Sequence, residues 1–136
     1  MKSDLFRLAL RGSIGWLVLI FAEIVHGTLR VIFLQPLVGD FRSRQIAVFS
    51  GAPIILAINY FLVRFLRAET LRQRLGVGFG WVLLTLVFEI SFGRLLGFSW
   101  ERIGADYDVA HGGLLPFGLV VMLFAPLIAA KIKTST

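Results

Sequence analysis

The sequence predicts an all-α membrane protein, a bundle of four transmembrane helices. Of its 136 residues 57% are hydrophobic and only 16% are charged, and the mean hydropathy of +0.85 lies far outside the range of soluble domains. Four apolar segments reach the length of about 20 residues that crosses the hydrocarbon core of a bilayer. The charged residues form short clusters between these segments. Lipid is therefore the expected environment of most of the chain.

The four predicted spans, in chain order, cover about 12–34, 46–66, 77–98 and 113–131. The first follows a basic start, but it is about twice as long as the apolar run of a signal peptide, so we expect a retained span. Backbone groups in hydrocarbon need local hydrogen bonds, which favours helices; barrel strands would be shorter and alternate in polarity. The connections are too short for a separate domain, so residues 1–136 form a single integral membrane domain.

The distribution of Lys and Arg predicts the orientation of the bundle. Only three of the fourteen flank the two connections on one side, at Arg42, Arg44 and Arg102, and two, Arg30 and Arg94, fall within spans. The other nine lie on the opposite side: Lys2, Arg7, Arg11, Arg64, Arg67, Arg72, Arg74, Lys131 and Lys133. Because basic loops stay in the cytoplasm, we expect both ends of the sequence to be cytoplasmic, in the inner membrane of a bacterium.

An internal similarity predicts that the bundle consists of two tandem helical hairpins, about 12–66 and 77–131. The pattern Glu-Ile-x-x-Gly-x-Leu begins at Glu23 and again at Glu89, and a Gly-Trp pair precedes it in both halves. Each hairpin would start and end on the same side of the membrane. The two halves would then be parallel repeats, related by a pseudo-two-fold axis along the membrane normal.

Tryptophan and glycine positions give two further expectations about packing. Three tryptophans lie near predicted span ends, where amphipathic rings favour the membrane interface: Trp16, Trp81 and Trp100. Gly93 and Gly97 form a G-x-x-x-G pair, and glycines also cluster at the start of span three. Small residues of this kind allow helices to approach closely.

Glu23 and Glu89 are the most informative residues, because each falls near the middle of a predicted span. An ionised carboxylate at that depth costs at least about 2.5 kcal/mol. Protonation, a basic partner or a water-filled cavity would compensate. Two interpretations follow: a titratable site that takes part in transport, or structural pairing with Arg or His.

Span one carries a polar stripe formed by Glu23, His26, Gly27 and Arg30. Offsets of three, four and seven residues place all four on one helix face. His26 is expected to be a neutral hydrogen-bond partner of Glu23, with proton relay and metal or haem ligation as alternatives. A bis-histidine haem would need His111, in or beside a loop, and is not expected.

Other polar residues are candidates for a polar network or for the outer loops. Asn59 in span two is expected to bond across helices. Arg94, like Arg30, lies close enough to the outer headgroups to extend its side chain towards them. Asp40 is expected in a loop salt-bridge group, and Asp106 and Asp108 lie in an acidic loop that lacks calcium-loop spacing, so no metal is predicted.

Two functional hypotheses from different classes remain open. In the first, Glu23, His26 and Glu89 form a titratable site that moves protons, ions or a small solute. In the second, the protein is an accessory or assembly subunit that packs against a larger membrane complex. The absence of cysteine excludes thiolate chemistry, and no phosphate loop or nucleophile motif is present, so an enzyme is the less favoured reading.

The composition also defines the expected partners. No cofactor is expected, and the basic clusters fit membrane topology better than nucleic-acid binding. The expected partners are membrane lipid and either further copies of this chain or a larger complex. In a homo-oligomer a permeation path would form more easily between protomers, since four helices enclose little space.

In outline the chain resembles the small multidrug resistance transporters: four spans in a very short sequence, with a glutamate in span one. The resemblance covers architecture alone. No motif matches residue by residue, and the second glutamate in span three departs from that family's pattern. We therefore assign no family from the sequence.

Overall fold

A computed structural model describes residues 2–135; most of these are helical, and there is no strand among them. Four helices are long and apolar enough to cross a membrane, so the chain is an integral membrane protein, as predicted. The α-helices are α1 (Lys2–Leu29), α2 (Gln35–Val38), α3 (Asp40–Leu66), α4 (Leu71–Leu95), α5 (Trp100–Ala105) and α6 (Leu115–Ser135).

A π-helical turn, Arg30–Leu34, joins α1 to α2 without a break. The first membrane helix therefore extends beyond the apolar segment that was predicted to span the membrane. The N–H of Gln35 donates to the carbonyl of Arg30, five residues earlier. A proline ring clashes with the carbonyl four residues before it, and Pro36 follows directly. Widening the helix at this point relieves that clash, so the helix continues to Val38.

The connections therefore differ from those expected. Residues 35–45 were predicted to form a loop, but Gly39 alone, with φ +89°, separates α2 from α3. The connection after α4 also contains structure: helix α5, capped by the Ser99 hydroxyl accepting from the Arg102 N–H, and a 3-10 turn at Val109–His111. Polar residues here start helices, so hydropathy alone misplaced these boundaries.

The four long helices pack in the cyclic order α1, α3, α6, α4. Helix α6 lies against both α3 and α4, and α1 contacts the same two helices. A two-fold axis along the membrane normal would exchange opposite members of such a ring, yet the helices it should relate, α1 and α4, are neighbours. The order matches two hairpins placed side by side, so the predicted two-fold relation is not seen; the tandem duplication itself stays a prediction.

Two tryptophans join α1 to α4 instead of facing lipid headgroups. Trp81 is buried, with 1% of its surface exposed, and its indole N–H donates to the Gly12 carbonyl at 2.8 Å. Trp16 donates to the Thr85 hydroxyl at 3.0 Å, and Thr85 in turn contacts the Met122 sulfur. The expectation of interfacial rings was wrong for Trp81, since an indole N–H also satisfies buried helix carbonyls.

Close helix approach occurs at Gly78, not at the G-x-x-x-G pair. A Cβ at Gly78 would overlap the Leu123 carbonyl, so α4 and α6 touch through their backbones here. Gly93 instead packs against Ile103 of α5, and Gly97, with φ +86°, lies beyond the end of α4. These two glycines therefore shape the connection between α4 and α5 and do not form a helix-packing motif.

Candidate functional site: a polar cavity in the bundle

The bundle contains a cavity of about 820 Å³ in the half towards α2 and α5. All four long helices line it, and the connections on that side contribute its end. Helices α1 and α4 are joined by the tryptophans near their first halves, whereas further along α1 bonds to α3 through His26 and Arg30. The space between α1 and α4 therefore opens beyond Trp16.

Glu23 and Glu89 line this same cavity, from α1 and α4 respectively. Both are half-buried. Within residues 2–135 neither carboxyl group forms a hydrogen bond or an ion pair. The basic groups expected to pair with them, His26 and Arg30, form their hydrogen bonds to other residues, so neither carboxyl group has an ion-pair partner among the described residues.

The polar stripe of α1 faces the cavity along its length. His26, Gly27 and Arg30 line it together with Glu23. His26 does not bond to Glu23: its Nε2 lies 2.8 Å from the Ser50 hydroxyl of α3. The expected pairing was wrong because Ser50, on the neighbouring helix, lies directly within reach of the imidazole.

Five charged side chains close the end of the cavity towards α2 and α5 in one network: Arg30, Asp40, Arg44, Arg102 and Asp106. Asp40 is its centre, at 3.1 Å from Arg44, 3.3 Å from Arg102 and 3.6 Å from Arg30. Arg44 also ion-pairs with Asp106. The expectation that Arg30 extends to headgroups was wrong, since it donates to the Ser43 hydroxyl at 2.8 Å. Three guanidinium groups face two carboxylates here, which leaves the network with one positive charge.

Two groups at this end of the cavity have perturbed pKa values, Asp106 within the network and Tyr107 next to it. Burial raises the pKa of Asp106, although the Arg44 guanidinium opposes this rise. Burial, followed by the negative charges of Glu89 and Asp106, raises the pKa of Tyr107 to about 12. The Tyr107 hydroxyl is buried and has no hydrogen-bond partner within residues 2–135. A neutral phenol donor is thus available at the cavity wall.

Three predicted residues lie outside the cavity. Asn59 is fully buried, but it donates to the Ile55 carbonyl of its own helix, so the expected bond across helices is absent and its Oδ1 has no partner among the described residues. Arg94 donates to the Phe98 carbonyl and lies over the Trp100 ring. Asp108 is exposed and pairs with His111 at 2.7 Å.

Sequence reasoning missed the aromatic wall of the cavity. Phe88 and Phe92 stack with ring centroids 5.4 Å apart, on either side of Glu89 along α4, and Phe41 and Tyr107 also line the cavity. The signal was the four-residue spacing of Phe88 and Phe92, which places both rings on one helix face. Because the chain contains 13 phenylalanines, the spacing of these two did not by itself indicate a functional site.

The fold and the cavity define a class: an integral membrane protein with four helices long enough to span the membrane and a cavity between them that is lined by Glu23 and Glu89. No known protein family, curated protein or solved structure matches the chain. The functional argument therefore depends on the site itself.

Proposed function

We propose that this protein moves protons, ions or a small solute across the membrane, with Glu23 and Glu89 as the titratable site. One observation carries the proposal: both carboxyl groups line one cavity, and neither forms an ion pair with a described residue. Carboxylates in a membrane interior must be compensated. With no Arg or His bound to them, a proton, a bound cation or water in the cavity is the remaining compensation, and exchange between a proton and a cation is the chemistry of a coupled carrier.

The cavity also weighs against the accessory-subunit hypothesis. A subunit that only fixes helix packing would bury its polar stripe against partners within the chain, and little space would remain around it. Here Glu23 faces a cavity of about 820 Å³. We propose a site within one chain, and a homo-oligomer would then serve assembly and not form the path between protomers.

Replacement of Glu23 by Gln tests the function. The amide keeps the volume of the side chain and does not titrate, and no ion pair is broken. We expect the thermal unfolding temperature in detergent to change little, while proton flux into proteoliposomes driven by a pH gradient falls to background. Glu89→Gln should act in the same direction.

Glu101→Gln is the matched control, since Glu101 is exposed in α5 and does not line the cavity. Its flux should equal that of the unaltered protein. A Glu23→Gln protein that keeps full flux would contradict the proposal. Loss of a stably co-purifying protein in that variant, with no flux in either form, would favour the accessory role.

A further inference from the structure

We infer that a groove on the outside of the bundle, between the first halves of α1 and α4, binds one anionic phospholipid. The groove is separate from the cavity that Glu23 and Glu89 line, so this inference goes beyond the proposed function. It depends on the shape of the groove, on its length and on the charge at its end.

The groove has a volume of about 420 Å³ and lies over the contact that joins the two helices. Its floor is the buried Trp81, whose indole N–H donates to the Gly12 carbonyl. Leu5 and Leu84 also line the groove and remain 61% and 42% exposed. The groove therefore opens to the outside of the bundle, where apolar side chains of a membrane protein face lipid tails.

Two glycines of α4 leave part of the groove unfilled. A Cβ at Gly76 or Gly80 would meet no atom within 4 Å, whereas one at Gly78 would overlap the backbone of α6. Glycine destabilises a helix interior relative to alanine, and packing within the chain accounts for Gly78 alone of these three. The space beside Gly76 and Gly80 is open to a molecule from outside the chain.

The polarity and length of the groove fit an amphiphile that stays within one leaflet. Arg72 and Gln73 lie at one end, and the lining beyond them is apolar except for Ser13, whose hydroxyl donates to the Ala9 carbonyl. From Arg72 to Leu84 the groove follows α4 for about 18 Å, at 1.5 Å per residue. Half of the hydrocarbon core is about 15 Å thick, so an acyl chain of a single leaflet matches this length.

The charge at the end of the groove selects an anionic headgroup. Arg72 is exposed and forms no hydrogen bond or ion pair within residues 2–135. It lies in the first turn of α4, which contains no acidic residue. The helix dipole is positive there and disfavours a cation unless an anion accompanies it. A lipid phosphate supplies that anion and gains a guanidinium donor.

The decisive experiment is equilibrium binding of radiolabelled phosphatidylglycerol to the purified, delipidated protein in a nonionic detergent. We expect saturable binding of one lipid per chain. Phosphatidylcholine with the same acyl chains should compete at least about tenfold more weakly, because it has no net negative charge. Glycerol 3-phosphate, which lacks the acyl chains, should not compete, and this distinguishes a lipid site from a site for free phosphate.

Arg72→Gln tests the headgroup contact. Loss of one cation next to the phosphate should weaken binding at least about fivefold. Arg7→Gln is the matched control, since Arg7 is also exposed and without a bond among the described residues, near the start of α1 but outside the groove. Its affinity should be almost unchanged.

Gly80→Leu tests the location without changing a charge. Leucine would occupy the open space beside Gly80, so binding should be lost while the thermal unfolding temperature without lipid is kept. Gly76→Leu should act in the same way and replaces it if Gly80→Leu does not fold. Gly27→Leu is the control, because Gly27 also borders open space but lies outside this groove.

Four results would overturn the inference: no saturable binding, equal competition by phosphatidylcholine, equal weakening by Arg7→Gln and Arg72→Gln, or full binding in folded glycine variants of the groove. Light scattering in detergent tests a protein occupant. If Gly80→Leu converts a dimer into a monomer, a second copy of the chain fills the groove and the lipid assignment is wrong. Failure of these tests leaves the transport proposal unaffected, since that proposal depends on Glu23 and Glu89.

Discussion

Arg44 joins two segments that sequence reasoning treated as separate loops. It pairs with Asp40 one turn earlier on α3 and with Asp106 beyond α5. Its side chain is only 14% exposed, so both interactions are partly shielded from water. We expect Arg44→Gln to lower the free energy of unfolding by about 1–3 kcal/mol, because two carboxylates lose a charged donor. Thermal or denaturant unfolding in detergent measures this.

Arg42→Gln provides the control, since Arg42 is an exposed neighbour outside the network. It should change stability by less than about 0.5 kcal/mol. The double variant Arg44→Gln with Asp106→Asn should recover part of the loss, because the amide needs no cation. Equal effects of the Arg42 and Arg44 variants would contradict the network.

The pH dependence of the stability of the Arg44→Gln variant follows from the titration of Asp106. Burial raises the pKa of Asp106 in the folded protein, so the folded form holds the proton more tightly than the unfolded chain. The stabilising contribution of this group is therefore complete at low pH and is lost as pH rises through the folded pKa. Arg44 opposes that rise, and its removal raises the pKa of Asp106 further.

We accordingly expect the stability deficit of Arg44→Gln to shrink as the pH is lowered and Asp106 takes up its proton. Unfolding midpoints measured at several pH values test the sign. Adding Asp106→Asn should remove most of this pH dependence, whereas a deficit that grows towards low pH would refute the assignment.

At the scale of elements, Gly78 sets the distance between α4 and α6. A Cβ there would overlap the Leu123 carbonyl, and backbone cannot move aside as a flexible side chain can. We expect Gly78→Ala to destabilise the fold by about 1–3 kcal/mol through forced separation of the two helices. Gly76→Ala, with open space around its Cβ, should be neutral or stabilising by up to about 1 kcal/mol. Unfolding of both variants in detergent makes the comparison.

Hydropathy predicted all four membrane helices because each has a long apolar run. It could not predict where they end, since the π-helical turn and the first turns of α3 contain polar residues, and Arg30 bonds to Ser43 between these two segments. The π-helical turn also escaped prediction. Its cause, the carbonyl clash made by Pro36, is visible in the sequence, but a proline equally often ends a helix.

The candidate site was predictable in composition but not in pairing. Helical spacing placed Glu23, His26 and Arg30 on one face, and these residues do line one cavity. Which partner each side chain has depends on the neighbouring helix: Ser50 bonds to His26 and Ser43 bonds to Arg30. The order in which the helices pack determines these partners, and the spacing of polar residues within one helix does not predict that order.

For the molecule as a whole, the two ends of the bundle differ in charge balance. At the end formed by Asp106 and its partners, most Arg side chains are matched by carboxylates. At the other end nine Lys and Arg side chains face only Asp4 and Glu69. Positively charged segments of this kind are retained in the cytoplasm. We therefore expect the end that carries Arg67 to be cytoplasmic and the cavity network to face outwards.

Cysteine labelling decides the orientation, since the chain provides a background free of cysteine. Glu69→Cys and Ala110→Cys place single thiols at exposed positions of opposite ends. In intact bacterial cells a membrane-impermeant maleimide should modify Ala110→Cys, whereas Glu69→Cys should react only after permeabilisation. The reverse pattern would place the arginine network in the cytoplasm. The cavity would then lie in the cytoplasmic half of the membrane, because network and cavity lie in the same half of the bundle.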